Sequence, residues 1–420
     1  MSRRLATGVL IAAALACAAP VHAAGAPRIR VALAADQSAM TVESAGAVVV
    51  ATPGPRRTVE GPLFIRREGT QVIVNEVPLG SPIRIEGESA PLVLKLPAAG
   101  CGEASMRDEQ DQNCMRPNPA PRGGECGRCA FKGMVVRGAL VITARDAGLL
   151  VVNDLDLEAY VKSVVPSEVP VTWPFEALKA QAIVARTFAL HKKGERGGQA
   201  FDVDATVQSQ VYGGLGSEDP RASEAVDATA GIVVMHEGRL ALTPYHSTSA
   251  GPTEDAAEVW GIDLPYLKGV ACPFDEDSPV YRWERRLSFD DIESALREAG
   301  HAVGSIATLT PLGRNRSGRL SAVRILHSEG ELILKGELLR RIIGYQRLPS
   351  MRFDVVDVEA GARGGFDVHL RGGGWGHGVG LCQWGMKTLS ERGWTADRII
   401  DYYYPGTNLD DAARRPKHIR

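Results

Sequence analysis

The chain has 420 residues, a formal net charge of −2 at pH 7 and an apolar fraction of 44%. This length allows about two or three domains and a sizeable core. The near-neutral charge argues against a general nucleic-acid-binding protein, because such proteins usually carry a basic excess that neutralises phosphates.

The N-terminal stretch has the pattern of a secretory signal peptide. Arg3 and Arg4 precede a short, alanine-rich apolar run that ends in Val21-His22-Ala23. The pattern predicts cleavage after Ala23, leaving residues 1–23 as the signal peptide, and export to the periplasm or cell envelope. A lipid anchor at Cys17 ranks second, because the usual leucine three residues before the cysteine is missing. No later stretch is apolar for long enough to predict a transmembrane span.

Six of the seven cysteines lie after the predicted signal peptide. An even number in an exported protein favours disulfides. The Cys126-Gly127-Arg128-Cys129 spacing also allows half of a zinc site, with Cys101 and Cys114 as the other ligands. Disulfides remain the preferred interpretation, because Cys101 and Cys114 are too widely spaced for a regular zinc knuckle.

Residues 24–130 are predicted to form a β-rich N-terminal region. From Arg28 to Leu96, short apolar and β-branched runs alternate with Gly and Pro, as in short strands joined by turns. Residues 97–130 hold four cysteines in a polar tract with little periodicity. This tract is predicted to be a surface insertion held by its own cross-links.

Strands are predicted again between Phe131 and Asn153, followed by a short helix that begins at Asp154 or Asp156. Two prolines then flank Ser167-Glu168-Val169 and predict a stiff, non-helical bend. From this local pattern alone, Glu168 is interpreted as an ordinary solvated acid.

A long helix is predicted directly after the bend. Apolar residues recur at helical spacing from Phe175 to Ala189, with Thr172 or Trp173 as the N-cap and Gly194 as the stop. Lys179 and Arg186 share a second stripe, which predicts a cationic helix face. Further elements are predicted as a helix at 221–230, a hairpin at 231–242, and helices at Glu337–Ile343, Leu381–Glu391 and Thr395–Tyr404.

Two loops carry the remaining candidate residues: Tyr245–Gly251, which is dense in hydroxyls, and the glycine-rich run Gly372–Gly380. The glycine-rich run lacks the spacing of a dinucleotide fingerprint and the Lys-Ser/Thr end of a P-loop, so a nucleotide site is rejected. The sequence contains neither an HExxH zinc motif nor a GxSxG nucleophile elbow.

The stretch VVPSEVPVTWPFEALKAQAIVARTFAL resembles the signature of the SpoIID/LytB family, the lytic transglycosylases of bacterial spore formation and their relatives. The resemblance continues in order through Gln210-Val211-Tyr212, His246–Ser249 and Gly374–Gly380. It implies a catalytic domain at 131–410 followed by a short tail at 411–420. The expected fold class is α+β, with mixed, mostly antiparallel sheets and a catalytic loop ahead of a long helix.

The resemblance implies cleavage of peptidoglycan glycan strands between N-acetylmuramic acid and N-acetylglucosamine, leaving a 1,6-anhydromuramoyl end. Glu168 takes the position of the family's catalytic glutamate. Some relatives are described as amidase enhancers, so a non-catalytic wall-binding protein that assists a cell-wall amidase is the alternative. The expected substrate-binding residues are Arg186, Lys268, Gln210, Tyr212, His246, Ser247, Ser249 and His377.

A single carboxylate suits this reaction, because the muramoyl 6-hydroxyl attacks the anomeric carbon and no water has to be positioned. Glu168 would first act as an acid and therefore needs a raised pKa. A following helix N-terminus and a nearby Arg186 would lower the pKa. We therefore expect apolar neighbours such as Trp173, Tyr212 or Trp375 to desolvate the carboxyl group.

No cofactor is expected. Some members of the family bind zinc near the hydroxyl-rich loop, and His246 and Cys272 would be the first candidate ligands here. A Cys272–Cys382 disulfide is the preferred alternative.

Overall fold

The computed structural model describes residues 27–52, 54–97, 132–361 and 364–412. The predicted signal peptide, nearly all of the predicted insertion at 97–130 with its four cysteines, and most of the predicted tail lie outside these residues. Within the described ranges, no helix combines the length and apolar character that a membrane span requires.

The first part of the chain forms two sheets around one apolar core. Strand order is β13-β1-β12-β11-β8-β3-β4 in one sheet and β10-β9-β2-β5-β6-β7 in the other, and residues such as Met40, Ile85 and Leu140 fill the core. Alternating burial, as at Ile83-Arg84-Ile85, is the pattern of strands with one face turned to a core. The strands are β1 (Arg28–Gln37), β2 (Ala39–Ser44), β3 (Val48–Ala51), β4 (Arg57–Val59), β5 (Leu63–Glu68), β6 (Gln71–Val74), β7 (Val77–Pro78), β8 (Ile83–Gly87), β9 (Leu92–Leu96), β10 (Lys132–Val136), β11 (Ala139–Arg145), β12 (Gly148–Asp156) and β13 (Val203–Asp204).

Strand pairing joins the residues on either side of the 97–130 segment. β9 pairs antiparallel with β10, where Leu96 lies opposite Lys132, and β1 pairs antiparallel with β12, where Arg28 lies opposite Asp156. The N-terminal region and the beginning of the predicted catalytic domain therefore share both sheets.

A long central helix, α2, organises the second core. Nearly every residue from Ala177 to Leu190 is buried, and α2 packs against α1, α3, α7 and α8. Its many alanines allow these neighbours to approach closely on several sides. The helices are α1 (Leu157–Glu168), α2 (Phe175–Glu195), α3 (Pro220–Asp227), α4 (Ala256–Trp260), α5 (Phe289–Glu298), α6 (Gly336–Ile343), α7 (Gln383–Glu391) and α8 (Ala396–Tyr403).

The predicted bend around Glu168 is wrong. Helix α1 begins after Asp156, whose side chain accepts hydrogen bonds from two backbone N–H groups, and it continues through Pro166 to end at Glu168. A proline in the last turn removes one backbone hydrogen bond, whereas the buried Val164 and Val165 anchor that turn in the core. Glu168 is therefore the last residue of a helix rather than part of a loop.

The predicted ends of α2 are also wrong. Pro174 occupies the N-cap position and no side chain caps the helix there. The helix runs past Gly194 to Glu195, where Lys192 forms an ion pair in the last turn. Burial of the apolar face outweighs the weak helix propensity of a single glycine near the end.

Residues 283–372, called the inserted unit below, contain a separate apolar core that includes Trp283, Val323 and Leu370. Two three-stranded antiparallel sheets, β17-β22-β21 and β18-β19-β20, enclose this core together with α5 and α6. The remaining strands are β14 (Ile232–His236), β15 (Arg239–Leu240), β16 (Tyr245–His246), β17 (Trp283–Ser288), β18 (Ile306–Arg314), β19 (Leu320–His327), β20 (Gly330–Lys335), β21 (Phe353–Ala360), β22 (Phe366–Gly372), β23 (Leu381–Cys382) and β24 (Asn408–Asp411).

The α+β class is confirmed. The sheets are mostly antiparallel, with parallel pairing between β1 and β13 and between β16 and β23. The predicted hairpin is the β14–β15 pair, and the predicted helices near 221–230, Glu337–Ile343, Leu381–Glu391 and Thr395–Tyr404 correspond to α3, α6, α7 and α8.

Candidate active site

A cavity of about 1020 Å³ lies between the α2-centred core and the inserted unit. Its volume is at the upper end of the range for ligand sites, roughly 300–1,000 Å³. Lining residues come from the end of α1, from both predicted loops and from the inserted unit, and they include Glu168, Tyr245, Ser247, Trp260, Ile333, Lys335, Trp375, His377 and Gln383.

Glu168 presents its carboxylate to this cavity from the last turn of α1. Its Oε1 atom accepts a hydrogen bond from the Val211 backbone N–H at 2.8 Å. The side chains of Tyr245 and Gln383 also form hydrogen bonds with the carboxylate. The carboxylate is thus fixed by groups from three separate segments of the chain.

A buried chain of hydrogen bonds determines which way Tyr245 donates. The Tyr160 hydroxyl donates to Gln210 Oε1 at 3.0 Å. Gln210 Nε2 in turn donates to the Ala185 carbonyl at 3.3 Å and to the Tyr245 hydroxyl oxygen at 3.1 Å. Because Tyr245 accepts from Gln210, its own proton is available for Glu168. Gln210, expected to bind substrate, instead orients Tyr245.

Burial raises the pKa of Glu168 above its ordinary value, and this effect exceeds the lowering by hydrogen bonds from Val211, Tyr245 and Gln383. The carboxyl end of a helix also disfavours a negative charge. The expected raised pKa is confirmed. Of the expected neighbours, Trp375 lines the same cavity, whereas Trp173 is buried against Trp384.

Arg186 is fully buried and lies away from the cavity. Its Nε and Nη2 atoms each donate to the Glu158 carboxylate at 2.7 Å, and its guanidinium also donates to the carbonyls of Ile232 and Val226. The expected cationic helix face is therefore wrong at this position. Arg186 therefore joins α2 to α1, to the last turn of α3 at Val226 and to β14 at Ile232.

Lys268 and Tyr212 also lie outside the set of described residues that line the cavity. Lys268 pairs with Asp263 and, at 3.3 Å, with Asp255. Tyr212 is buried, stacks on Tyr160 with ring centroids 5.4 Å apart, and donates to Asn153 Oδ1 at 2.7 Å. Both expected substrate contacts are thus engaged within the protein.

His246 and His377 lie side by side at the cavity, with ring centroids 5.6 Å apart. His246 Nδ1 lies 3.1 Å from the Val379 carbonyl and must donate to it, because a carbonyl can only accept. In the neutral ring Nε2 then carries no proton, and it accepts from the Ser249 hydroxyl at 2.7 Å. His377 Nδ1 accepts from the Val379 N–H at 3.0 Å. Trp260 packs on His377 with ring centroids 4.9 Å apart.

Both histidines are neutral at neutral pH. Burial, together with the positive charges of Arg340 and Arg319, lowers the pKa of His377 to about 3, and burial lowers the pKa of His246 well below its usual value. Their hydrogen bonds to the backbone make them supports for the two loops rather than proton-transfer groups.

The two predicted serines differ in access. Ser249 is fully buried, and its N–H donates to Asp275 Oδ2 at 2.6 Å. Ser247 is partly exposed and lines the cavity. Of the residues expected from the sequence, the structure therefore brings Glu168, Ser247 and the two histidines to one cavity, and it makes Ser249 a support.

Several cavity residues were missed by sequence reasoning. Tyr245 and Gln383 adjoin recognised motifs, and that adjacency was the available signal. Glu254 gave no such signal, because its partner Ser317 lies 63 positions away in the chain. Arg319, from the inserted unit, donates to the Ser249 carbonyl at 3.1 Å, and burial lowers its pKa to about 10.

One group of side chains in the described ranges has the composition of a metal site: Cys272, Asp275 and Cys382, all buried, with their ligand atoms within 4.8 Å of one another. His246, the other expected ligand, is engaged with Val379 and Ser249. The expected Cys272–Cys382 disulfide is not found, since both residues are free cysteines in this structure.

These features define the class of the molecule: an α+β protein with a largely buried carboxyl group at the wall of a large, partly aromatic cavity. Comparison with known proteins then assigns a family. The family model for Stage II sporulation protein, SpoIID, matches residues 145–236, and a family described as a domain of unknown function matches residues 265–380.

Stage II sporulation protein D of Bacillus subtilis is 30% identical over 340 residues, covering 77% of this chain and 92% of that protein. The protein of the same name from Bacillus amyloliquefaciens is 33% identical over 279 residues, covering 62% of this chain and 76% of that protein. A protein named Amidase enhancer, from Bacillus subtilis, is 28% identical over 296 residues, or 59% of this chain and 40% of that protein. The chain belongs to the SpoIID family.

Replacing Arg186 is expected to destabilise the fold. Arg186→Met leaves the Glu158 carboxylate without its cation, so the free energy of unfolding should fall by about 3 kcal/mol. Lys179→Met is the matched control, because it removes a cation from the same helix at a more exposed ion pair and should cost less than about 1 kcal/mol. Urea unfolding measures both; equal, small effects would contradict the structural role of Arg186.

Glu168→Gln is expected to raise the free energy of unfolding at pH 7. Since the pKa of Glu168 is higher in the folded protein, ionisation opposes folding once the pH exceeds the unfolded-state value of about 4.3. The stability difference from the parent should therefore shrink towards zero as the pH falls through that value. Glu258→Gln removes an exposed carboxylate from the same cavity and serves as the control in urea unfolding. A variant less stable than the parent at pH 7 would refute the prediction.

Proposed function

We propose that the protein is an exported peptidoglycan lytic transglycosylase, which cleaves the bond between N-acetylmuramic acid and N-acetylglucosamine and forms 1,6-anhydromuramoyl ends. Membership of the SpoIID family supports a role related to the cell wall. The observation that carries the specific reaction is the desolvated Glu168 carboxyl group, with its raised pKa, at the wall of a cavity large enough for several sugar units.

In the proposed first step, the protonated Glu168 donates its proton to the glycosidic oxygen as the bond to the anomeric carbon breaks. The resulting carboxylate is stabilised by the hydrogen bonds from the Val211 N–H, Tyr245 and Gln383. In the second step it accepts the proton of the muramoyl 6-hydroxyl, whose oxygen closes on the anomeric carbon. The carboxyl group is thereby regenerated and no external nucleophile is consumed.

The cavity walls suit a glycan. Trp260 and Trp375 offer aromatic surface near His377, Gln383 offers a polar group beside the carboxylate, and Ser247 offers a hydroxyl elsewhere on the cavity wall. Sites of this type combine apolar and aromatic walls with a few polar groups that fix the ligand's orientation.

A second candidate is a non-catalytic, wall-binding protein that assists a cell-wall amidase. The relative named Amidase enhancer supports it, although the alignment covers less than half of that protein. The raised pKa of Glu168 favours the enzyme, because perturbed carboxyl pKa values in a cleft are typical of catalytic groups and glycan binding alone does not require one.

Glu168→Gln should abolish the release of anhydromuramoyl products from purified sacculi, because the amide can neither donate nor accept the required proton. Glu258→Gln is the matched control, since it lines the same cavity and should retain activity. Mass spectrometry of the soluble products gives both the amount released and the chemistry of the chain ends.

The product spectrum separates the candidates. If Glu168→Gln releases as much product as the parent, Glu168 is not the catalytic residue. Products with ordinary reducing ends would indicate a hydrolase that uses a second carboxylate. Binding to sacculi without any release, combined with acceleration of an added amidase, would support the enhancer function instead.

Tyr245→Phe should move the alkaline limb of the pH–rate profile to higher pH. The hydrogen bond from Tyr245 lowers the pKa of Glu168, so its removal should raise that pKa. Tyr402→Phe removes a hydroxyl that donates to the Ala271 carbonyl and is the control. The measurement is kcat/KM against pH on soluble glycan, and an unshifted or acid-shifted limb would contradict the contact.

A further inference from the structure

Cys272, Asp275 and Cys382 form a closed cluster behind the cavity. All three are buried, and the sulfur atoms and a carboxylate oxygen lie within 4.8 Å of one another. The Cys382 Sγ atom is 3.3 Å from Asp275 Oδ2. Cys382 ends β23 and Cys272 lies 110 positions earlier, so only the tertiary fold brings these ligand types together.

The carboxylate of Asp275 is incompletely paired. Oδ2 accepts hydrogen bonds from the N–H groups of Ser249, at 2.6 Å, and Ala250, at 2.9 Å. Oδ1 is buried and has no hydrogen-bond partner within the part of the chain that the structure describes. A buried carboxylate with a free oxygen is unfavourable unless a cation or donor meets it.

A disulfide between the two cysteines would not relieve this charge. It would remove the thiol that now donates to Asp275 Oδ2 and leave Oδ1 unpaired. A divalent cation between the three side chains would offset two of the three negative charges of the carboxylate and both thiolates, and it would give Oδ1 a partner. Zinc accepts both thiolate and carboxylate ligands, and thiolates favour it over magnesium, calcium or manganese.

The separations agree with this ion. Bonds of about 2.3 Å to sulfur and 2.0–2.2 Å to oxygen in a tetrahedron place the ligand atoms about 3.5–3.8 Å apart. In the cluster, Cys382 Sγ lies 3.3 Å from Asp275 Oδ2 and all three ligand atoms lie within 4.8 Å of one another, so small side-chain shifts would give this geometry. Oxygen atoms also touch both sulfurs and could complete the coordination: the Tyr403 hydroxyl is 3.3 Å from Cys272 Sγ, and the Ser247 carbonyl is 3.6 Å from Cys382 Sγ.

We infer that Cys272, Asp275 and Cys382 bind a zinc ion, with Asp275 coordinating through Oδ1. Both thiols are deprotonated on binding, so two protons are released to solvent. The ion joins the loop at 272–275 to the β16–β23 pair, in which His246 lies opposite Cys382. It thereby fixes the hydroxyl-rich loop beside the cavity. The inference does not depend on the proposed reaction.

The test uses the full chain with every cysteine outside the cluster replaced, so that only this site can bind through thiolates. After gel filtration, the zinc content is measured by elemental mass spectrometry. The zinc is then replaced with cobalt, and the thiolate-to-cobalt charge-transfer band is measured by absorption spectroscopy. Thiols are titrated in denaturant without reductant. The background substitutions are Cys17→Ser, Cys101→Ser, Cys114→Ser, Cys126→Ser and Cys129→Ser.

About one zinc per chain and a cobalt–thiolate band are expected. Cys382→Ser and Asp275→Asn should weaken zinc binding at least about 10-fold, whereas Asp277→Asn, an exposed carboxylate in the same loop, should leave it unchanged. If the protein holds no metal and has no titratable thiols, Cys272 and Cys382 form a disulfide and the inference is overturned. The inference is also overturned if all the variants retain zinc as the parent does. If a variant fails to fold, the parent protein still provides the test, because a cobalt–thiolate absorption band supports the metal site and its absence contradicts it.

Discussion

The buried ion pair between Arg186 and Glu158 is the constraint on which the rest of the site depends. Helix α2 is surrounded by other elements, so the guanidinium in its middle must be neutralised inside the core. Glu158, in the first turn of α1, provides that charge and fixes α1 against α2. The opposite end of α1 is thereby directed at the cavity, and Glu168 is its last residue.

Glu168 illustrates how a fold can raise the pKa of a carboxyl group. Burial raises its pKa, while hydrogen bonds from Val211, Tyr245 and Gln383 stabilise the ionised form without cancelling that effect. The Tyr160–Gln210–Tyr245 chain is buried and fully satisfied, so the donor that faces the carboxylate is fixed before any ligand arrives. Such preorganisation suits the acid and base roles proposed for Glu168.

The inserted unit contributes the far wall of the cavity and also reaches beneath the Tyr245–Gly251 and Gly372–Gly380 loops. Arg319 from this unit is buried against the Ser249 carbonyl, and a Cβ atom at Gly378 would come within 2.4 Å of its guanidinium carbon. Gly378 has a φ of 88°, a conformation that favours glycine. The glycine-rich loop therefore owes its composition to close packing around a buried cation and around His246, rather than to phosphate binding.

The sequence by itself determined the α+β class, most helices and strands, the family and the choice of Glu168 as a candidate, because periodicity, turn residues and motif order are local properties of the chain. It did not reveal that Arg186, Tyr212 and Gln210 are held by partners distant in sequence, or that Lys268 pairs with acids at 255 and 263. It also predicted a bend at Glu168, because a proline in a last helical turn has the same local signal as a loop. Only the tertiary structure decided which side chains face the cavity and how the Glu168 carboxyl group is desolvated. It also placed Asp275 beside Cys272 and Cys382. The physical reason is that burial and charge pairing arise between segments that no local pattern connects.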